Sequence, residues 1–224
     1  MLTDDQLAYA ADDVRHLHAL EEVLRLELSK AGLEHVFKLE TELIPIVVAM
    51  EKHGFALDTT QLQTLEDLTE QRRAELAVGL RVKFGESKLN LDSPEQLLGA
   101  FDKAGLKLED TSESTLVRVE HELATRLLQY RQEAKLLTTI KNLRKHVLAD
   151  GRIHSEFNPL GADTGRFSAK HPNLQNVTRG TLRSCFVPAG SDRRLVVADY
   201  SQIELRIAAY FARDKEMLAA FQAR

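Results

Sequence analysis

Two acidic side chains near the C-terminal end of the chain are the residues best suited to chemistry. Asp199 directly follows an apolar run, residues 195–198, that is typical of a β-strand, and Glu204 lies in a helix predicted to begin near Gln202. A carboxylate at the end of a strand stands at the edge of a sheet, where a divalent cation can reach its oxygens. The residue types alone leave a second interpretation open, because Asp here is also a common helix cap and Glu a common solvated helix residue.

Basic residues form a second set, gathered in the middle of the chain. The whole chain has a formal net charge of −4, but residues 1–125 hold 13 Lys and Arg against 25 Asp and Glu. Residues 126–194 hold 13 basic residues against 5 acidic ones, and residues 195–224 hold 4 of each. A local electropositive surface that could meet phosphate groups is therefore compatible with the acidic total. A solvated basic face with no partner is the alternative.

Helical spacing dominates the first two-thirds of the chain. Predicted helices are a segment from Leu7 to Leu28 that stops at Gly32, a segment from Leu39 to Met50 that ends at Gly54, Thr60 to Phe84, one starting at Ser93-Pro94, and His121 to Leu148. Ser93 has the form of a hydroxyl cap, followed by proline in the first turn. The buried side of the third helix is predicted to carry Leu65, Leu68, Leu76, Leu80 and Phe84.

The pattern changes after Asp150-Gly151, a pair typical of a turn. Strands are predicted at residues 152–157, 182–187 and 195–198, with a loop over residues 158–180 and a final helix from about Gln202. The predicted fold class is mixed α/β (α+β), mostly helical.

Composition limits the class of protein. No apolar run approaches the roughly 20 residues that cross a bilayer, so no membrane partner is expected. The single cysteine, Cys185, excludes an internal disulfide and is interpreted as a buried strand residue rather than a nucleophile. Nothing in the sequence indicates an oligomer.

Two motifs carry a resemblance to a known family. Residues 199–206, DYSQIELR, resemble motif A of the family A DNA polymerases. Upstream, residues 164–168 (TGRFS) and 172–176 (PNLQN) resemble another signature of that family's palm domain, in the same order and at a suitable distance. The resemblance implies a DNA-directed DNA polymerase that works in replication or repair by a two-metal mechanism.

The resemblance implies catalytic and nucleotide-binding roles around motif A. Asp199 would bind two Mg²⁺ ions, with the main-chain carbonyl of Tyr200 as a further ligand. Glu204 would lie under the sugar of the incoming dNTP and exclude a ribose 2′-hydroxyl. The nucleotide-binding residues so implied are Ser201, Gln202, Ile203, Glu204 and Arg179. Thr178 stands where the family usually has proline, so Arg179 is also open to interpretation as a solvated loop residue.

Primer-template DNA is the second implied partner. Arg166 would reach the minor groove at the primer terminus, where the acceptors are nearly the same for every base pair. Thr164, Asn173, Gln175 and Asn176 would bind DNA around it. In the long predicted helix, Arg131 and Lys135 lie four residues apart on one face and resemble the family segment that follows the duplex backbone. A solvated helix face remains the alternative for these two residues.

The N-terminal segment resembles a different site. Tyr9 and Asp13 lie four apart in a predicted helix and resemble the third motif of DnaQ-like 3′–5′ exonucleases, in which the Asp is a metal ligand and the Tyr orients water. The same motif resembles ribonuclease D. The implied organisation is the end of an exonuclease domain in residues 1–33, a helical thumb in residues 34–150, and the beginning of a palm in residues 151–224.

The expected activity of the isolated chain is limited. A proofreading site is expected to be incomplete, because its first motif would lie upstream of Met1. The chain is expected to end before the fingers and before the family's second catalytic carboxylate, so it should extend no primer while still binding DNA weakly. Two other functions stay open, a non-catalytic DNA-binding remnant and a ribonuclease D-like piece. The expected location is the cytoplasm of a bacterium or phage-infected cell, with an organelle as the alternative.

Overall fold

The structure, a computed structural model, describes residues 3–177 and 180–223. Its helices are α1 (Asp4–Arg15), α2 (Leu17–Lys30), α3 (Glu34–His53), α4 (Thr59–Phe84), α5 (Pro94–Lys103), α6 (Glu113–Leu116), α7 (Glu122–Lys145), α8 (Thr181–Ser184), α9 (Ile203–Ala212) and α10 (Lys215–Gln222). Its strands are β1 (Phe55–Ala56), β2 (Arg152–Ile153), β3 (Glu156–Asn158) and β4 (Ser168–Lys170), and residues Leu174–Asn176 form a 3-10 helix. The predicted mixed, mostly helical class is confirmed. The chain divides into two compact units, one ending at Val187 and one beginning at Pro188.

The first unit is organised around the antiparallel helices α4 and α7. Asp58 caps α4 by accepting a hydrogen bond from the Gln61 amide at 2.9 Å, and α4 ends at Gly85, which adopts the left-handed conformation (φ 71°). Arg144 of α7 meets Glu66 of α4 at 2.8 Å near one end of the pair. Lys83 meets Glu122 at 2.7 Å near the other end.

Two hydrophobic cores lie along this helix pair. The distal core joins the C-terminal half of α4 to α5, α6 and the start of α7 through buried residues that include Leu80, Phe101, Leu116 and Leu127. The basal core joins the other end of the pair to β2 and α8 through Leu57, Leu62, Ile140, Leu143, Ile153, Leu182 and Cys185. Because both cores use α4 and α7, the two helices run from one core to the other.

Short strands place the polar segments beside the basal core. β1 pairs antiparallel with β2, and β3 pairs antiparallel with β4 in the register Glu156↔Lys170, Phe157↔Ala169 and Asn158↔Ser168. Residues 156–176, called here the β3–β4 block, contain this strand pair, the connecting loop and the 3-10 helix. Leu174 of the block packs against the basal core.

Several predicted elements are confirmed. The helix predicted from Thr60 begins one residue earlier, Ser93 accepts a hydrogen bond from the Gln96 amide as the predicted cap, and the helix predicted from His121 is α7. The prediction that Leu68 is buried is wrong, since its side chain is 46% exposed and Leu62 and Thr69 are buried on that helix instead.

Two predicted helices are divided in the structure. The segment from Leu7 to Leu28 forms α1 and α2, which are separated at His16. The final helix is divided into α9 and α10 because Arg213 adopts a left-handed conformation (φ 52°) and Asp214 caps α10, accepting from two amides at 3.0 Å. Within the described part of α1 and α2, no residue is buried.

The strand predictions need correction at three places. The predicted strand over residues 152–157 is divided between β2 and β3, which pair with different partners, and the predicted loop over residues 158–180 contains β4 and the 3-10 helix. The predicted strand over residues 182–187 is mainly α8, with an isolated bridge from Phe186 to Leu57. Cys185 is buried as predicted, but in the basal core next to α8. A short apolar run fits a strand or a buried helical turn equally well, and its tertiary neighbours decide between them.

The segment predicted as a strand at residues 195–198 is irregular in the structure, and this prediction is wrong for the described chain. Val196 and Val197 are 90% and 84% exposed. A strand is stabilised by hydrogen bonds to a neighbouring strand, and within residues 3–177 and 180–223 the strand pairs are β1 with β2 and β3 with β4.

The second unit is held by its two helices. Ala209 of α9 is buried, and the Arg206 guanidinium lies over the Phe221 ring of α10, 4.7 Å from its centre. In the part of the chain that the structure describes, no helix combines the length and apolar character needed to cross a bilayer.

Candidate nucleic-acid interface

The β3–β4 block presents an exposed polar surface on a fixed scaffold. Thr164 and Arg166 are exposed in the loop between the two strands, where Gly165 takes a positive φ of 71°. Asn173, Gln175 and Asn176 are exposed after β4. The block therefore gathers the five predicted DNA-binding residues that lie beyond residue 160.

Hydrogen bonds within the block join its two exposed parts. The Gln175 side-chain amide donates to a main-chain carbonyl at 2.6 Å. This carbonyl belongs to Phe167, the residue after Arg166. Asn173 accepts a hydrogen bond from the Gln175 amide at 3.0 Å and caps the 3-10 helix. The loop that carries Arg166 is consequently tied to the 3-10 helix that carries Gln175 and Asn176.

The charges around the strand pair are balanced. The ring Nδ1 of His171 lies 3.0 Å from a carboxylate oxygen of Glu156, and Lys170 lies 3.5 Å from the other oxygen. The hydrogen bond from His171, with added attraction from the His171 and Lys170 charges, lowers the pKa of the Glu156 carboxyl. Glu156 thus stays ionised beside two basic residues of the same block.

Helix α7 positions the two predicted backbone-contacting residues differently. Lys135 is exposed, whereas Arg131 is half-buried and donates to Thr111 through two guanidinium nitrogens, one to the main-chain carbonyl and one to the hydroxyl at 3.1 Å. Part of the Arg131 donor capacity therefore holds α7 to the segment before α6. The opposite face of α7 buries Ile140 and Leu143 as expected.

A cleft of about 460 Å³ runs beside this part of α7. Arg131, Lys135 and Thr139 line one side, and Gly180 and Thr181 line another. Thr178 and Arg179 precede that second side in sequence, and the Arg179 prediction lies outside the described residues.

The second unit carries the predicted catalytic residues on its surface. Asp199 and Tyr200 lie in the irregular segment before α9 and are exposed, with Tyr200 at 80%. Gln202 adopts a left-handed conformation (φ 53°), and Ile203 begins α9. Glu204 is in the first turn of α9, where the helix dipole favours a negative charge.

The local geometry around the start of α9 is fixed by Arg206. Its Nε donates to the main-chain carbonyl of Ser201 at 2.9 Å. The turn from Ser201 through Gln202 therefore has a defined shape, and it presents Ser201, Gln202 and Ile203 consecutively on the surface.

The residues fit a magnesium ion only in part. The Asp199 carboxylate and the Tyr200 carbonyl offer oxygen, the ligand type that Mg²⁺ prefers. In the described ranges, however, no three His, Cys, Asp or Glu side chains are grouped to hold a metal ion. A two-metal centre needs carboxylates in addition to Asp199.

The N-terminal pair lies on one face of α1. Tyr9 and Asp13 are four residues apart and both exposed, with Tyr9 at 74%. Their metal-binding role stays a prediction.

Sequence reasoning missed the residues that support the β3–β4 block. Ser155 is 1% exposed and its hydroxyl lies within hydrogen-bond distance of the carbonyls of Lys170 (3.2 Å) and Pro172 (2.7 Å). The alternation of residues 153, 155 and 157 was a signal that Ser155 faces inward. Glu51 of α3 accepts a hydrogen bond from the Phe157 amide at 2.7 Å, and no local pattern indicates a contact across 106 positions.

Comparison with known proteins gives consistent matches. The family model described as DNA polymerase family A matches residues 59–224. The chain is 36% identical over 221 residues to DNA polymerase I of Streptococcus pneumoniae and 37% identical over 224 residues to DNA polymerase I of Geobacillus stearothermophilus. These alignments cover 90% and 91% of this chain, which spans about a quarter (25%) of the length of each relative.

A solved structure is also similar. The POL domain of Pol1 from M. smegmatis, in complex with a DNA primer-template and dNTP, matches with a TM-score of 0.78 and 30% sequence identity. The match covers 93% of this chain and 43% of the other.

Proposed function

This chain belongs to DNA polymerase family A, and we propose that it is a segment of a DNA-directed DNA polymerase that holds a primer-template duplex beside an incoming dNTP. In this proposal residues 1–33 are the end of an exonuclease domain, residues 34–150 a thumb, and residues 151–224 the first part of a palm. A cytoplasmic location in a bacterial or phage-infected cell is part of the same proposal.

The β3–β4 block is the proposed contact with the primer end. Arg166 donates to minor-groove acceptors, which differ little between base pairs, so one guanidinium can test pair geometry without reading sequence. Gln175 and Asn176 would contact DNA from the 3-10 helix, which the Gln175 side chain joins to Phe167, the residue after Arg166. Thr164 and Asn173 would add short polar side chains. The hydrogen bond from Gln175 to Phe167 holds these groups in one arrangement.

Helix α7 is the proposed contact with the duplex backbone. Lys135 is exposed and can approach a phosphate directly, while Arg131 keeps further N–H donors besides those used on Thr111. Both residues belong to the stretch that carries the basic excess of the chain. Contacts of this kind fix the position of the duplex without sequence preference.

The start of α9 is the proposed nucleotide side of the site. Asp199 and the Tyr200 carbonyl would hold Mg²⁺, which, when bound, polarises phosphate oxygens and stabilises their developing charge. Glu204 would exclude a 2′-hydroxyl, and Ser201, Gln202 and Ile203 would line the nucleotide. Arg179, outside the described residues, remains a predicted nucleotide-binding residue. Asp13 with Tyr9 would be the remnant of a second metal site.

The observation that carries the proposal is the exposed polar block at residues 164–176 in a chain that resembles a polymerase domain over most of its length. The test is fluorescence anisotropy of a labelled primer-template duplex with the purified 224-residue chain over a range of salt concentrations. We expect weak binding whose logarithmic affinity falls linearly with the logarithm of salt concentration. Lys135→Ala should reduce the slope by about one, whereas Arg15→Ala, on the acidic helix α1, should leave it unchanged.

The same samples test the catalytic side. Asp199 alone does not provide the set of carboxylates that a two-metal centre needs, so the chain should incorporate no dNTP in the presence of Mg²⁺. Template-dependent incorporation by the purified chain would contradict this expectation, and absence of duplex binding at low salt would contradict the proposed DNA contact.

A further inference from the structure

We infer that Glu51 is a positioning residue for the proposed primer contact: its carboxylate fixes the β3–β4 block, and with it Arg166, to the end of α3. This role rests on the proposed function, because it assumes that the β3–β4 block contacts the primer. The contacts that support it belong to the first unit alone.

The last turn of α3 is joined to residues 152–157 at three points. Glu51 Oε1 accepts from the Phe157 amide at 2.7 Å. The Glu51 main-chain carbonyl lies 2.7 Å from His154 Nδ1, and the His53 carbonyl accepts from Arg152 at 2.5 Å. Carbonyls in the last turn of a helix lack intrahelical partners. The contacts with His154 and Arg152 therefore supply hydrogen-bond donors for two of these carbonyls. The Glu51 side chain provides the third contact.

The Glu51 carboxylate is the contact that reaches furthest along the segment. A hydrogen bond from an amide to an ionised carboxylate is shorter and stronger than one between neutral groups. The Glu51 side chain is half-buried, which limits competition from water. Phe157 is the middle residue of β3, so this bond fixes the strand at its centre and not at a mobile end.

A continuous series of contacts leads from Phe157 to Arg166. Phe157 pairs with Ala169 of β4. Two further anchors lie on the C-terminal side of Arg166, where Gln175 donates to the carbonyl of Phe167 and the Ser155 hydroxyl meets the carbonyls of Lys170 and Pro172. The N-terminal side of the loop follows β3 directly, through the pair Asn158↔Ser168. A shift of Phe157 relative to α3 is therefore transmitted to Arg166 through the strand pair.

Substitutions at residue 51 separate the charge, the reach and the acceptor of this side chain. A Gln can still accept from the amide through its Oε1, but without the charge. An Asp keeps the charge but is shorter by one methylene. An Ala removes the acceptor and leaves the half-buried Phe157 amide without it. These three substitutions give a graded series at one position.

The test uses the 224-residue chain and amide hydrogen exchange measured residue by residue. Glu51→Ala should speed exchange of the Phe157 amide by about tenfold or more, and exchange of residues 166–176 should rise with it. Glu51→Gln should lie between wild type and Glu51→Ala. Glu42→Ala, at an exposed position of the same helix, should match wild type. Unchanged exchange at residues 157 and 166–176 in Glu51→Ala would overturn the inference.

Duplex affinity distinguishes positioning of Arg166 from a general effect of Glu51 on stability. If Glu51 acts through Arg166, Glu51→Ala should weaken primer-template binding in the wild-type background and have no further effect in Arg166→Ala. An additive loss in the double variant would refute positioning through Arg166.

Two outcomes separate this inference from the proposed function. A wild-type chain that binds no duplex rejects the proposed function, while the exchange data still decide whether Glu51 fixes the β3–β4 block. Should Glu51→Ala fail to fold, Glu51→Asp takes its place: faster exchange at residues 157 and 166–176 in a folded Glu51→Asp supports the inference, and wild-type exchange there opposes it.

Discussion

Two segments that carry predicted site residues, one in each unit, are held in different ways. The β3–β4 block is tied to the rest of the first unit by the buried Ser155 hydroxyl and by the Glu51 carboxylate, and its Leu174 packs on the basal core. Residues 195–202 of the second unit are exposed and irregular up to the start of α9. The backbone of the block is thus held by buried and half-buried contacts to other elements, whereas the contact given for residues 195–202 is the local hydrogen bond from Arg206 to Ser201.

Substitution of a glycine is expected to give the largest difference in stability between the first unit and the second. Gly54 has a positive φ of 60°, and an added Cβ would lie 2.7 Å from the Ile153 carbonyl oxygen. Gly54→Ala should therefore lower the free energy of unfolding by about 3–5 kcal/mol, combining left-handed strain with overpacking. At Gly190 an added Cβ would meet two side chains rather than backbone, Asp192 at 2.8 Å and Arg193 at 4.0 Å, so Gly190→Ala should change the free energy of unfolding by less than about 0.5 kcal/mol. Urea denaturation measures the free energy of unfolding of both variants. Equal decreases in the two variants would contradict the expected difference.

A smaller difference is expected on removing apolar side chains. Ile153 of the basal core is fully buried, so Ile153→Ala should destabilise the first unit by about 2–4 kcal/mol. Val197→Ala, at 84% exposure, should stay within about 0.5 kcal/mol of wild type. Thermal unfolding followed by circular dichroism checks both. A large loss for Val197→Ala would show that residues 195–198 are buried in solution.

The smallest effect is a pH dependence confined to the first unit. The hydrogen bond to the Glu51 carbonyl, aided by one to the Asp150 carboxylate, raises the pKa of His154. A group whose pKa is raised by folding stabilises the protein fully below its unfolded pKa of about 6.5, and that stabilisation is lost as pH rises through the folded pKa. The melting temperature of wild type relative to His154→Gln should therefore be higher at pH 6 than at pH 8. A difference that does not change with pH would contradict the protonated contact.

Sequence reasoning predicted the elements whose signals are local. Ser93 and the Thr60–Phe84 helix were predicted because caps and apolar repeats lie within a few residues of one another. The division of residues 152–157 into two strands was missed because it depends on β1 and β4, which lie far away in sequence. The strand predicted over residues 182–187 is replaced by α8 at residues 182–184, because a short apolar-rich run does not distinguish a strand from a buried helical turn.

The candidate site shows the same limit. The exposed positions of Arg166, Gln175 and Asn176 agree with motifs that are contiguous in sequence. The attachment of Arg131 to Thr111 was not predicted, because it joins residues 20 positions apart through one side chain. The contact of Glu51 with the Phe157 amide was not predicted either, because 106 positions separate the two residues. Motifs predict which side chains could reach a ligand, whereas the contacts that support them depend on tertiary structure.

The length of the α4–α7 pair has a mechanical consequence. With 26 residues at about 1.5 Å each, α4 is about 39 Å long and passes beside both cores. A tilt of about 6° at the basal core would displace the far end by about 4 Å. The contacts of the basal core therefore set the orientation of the whole pair, because a small rotation there is multiplied by the length of α4 at the distal core.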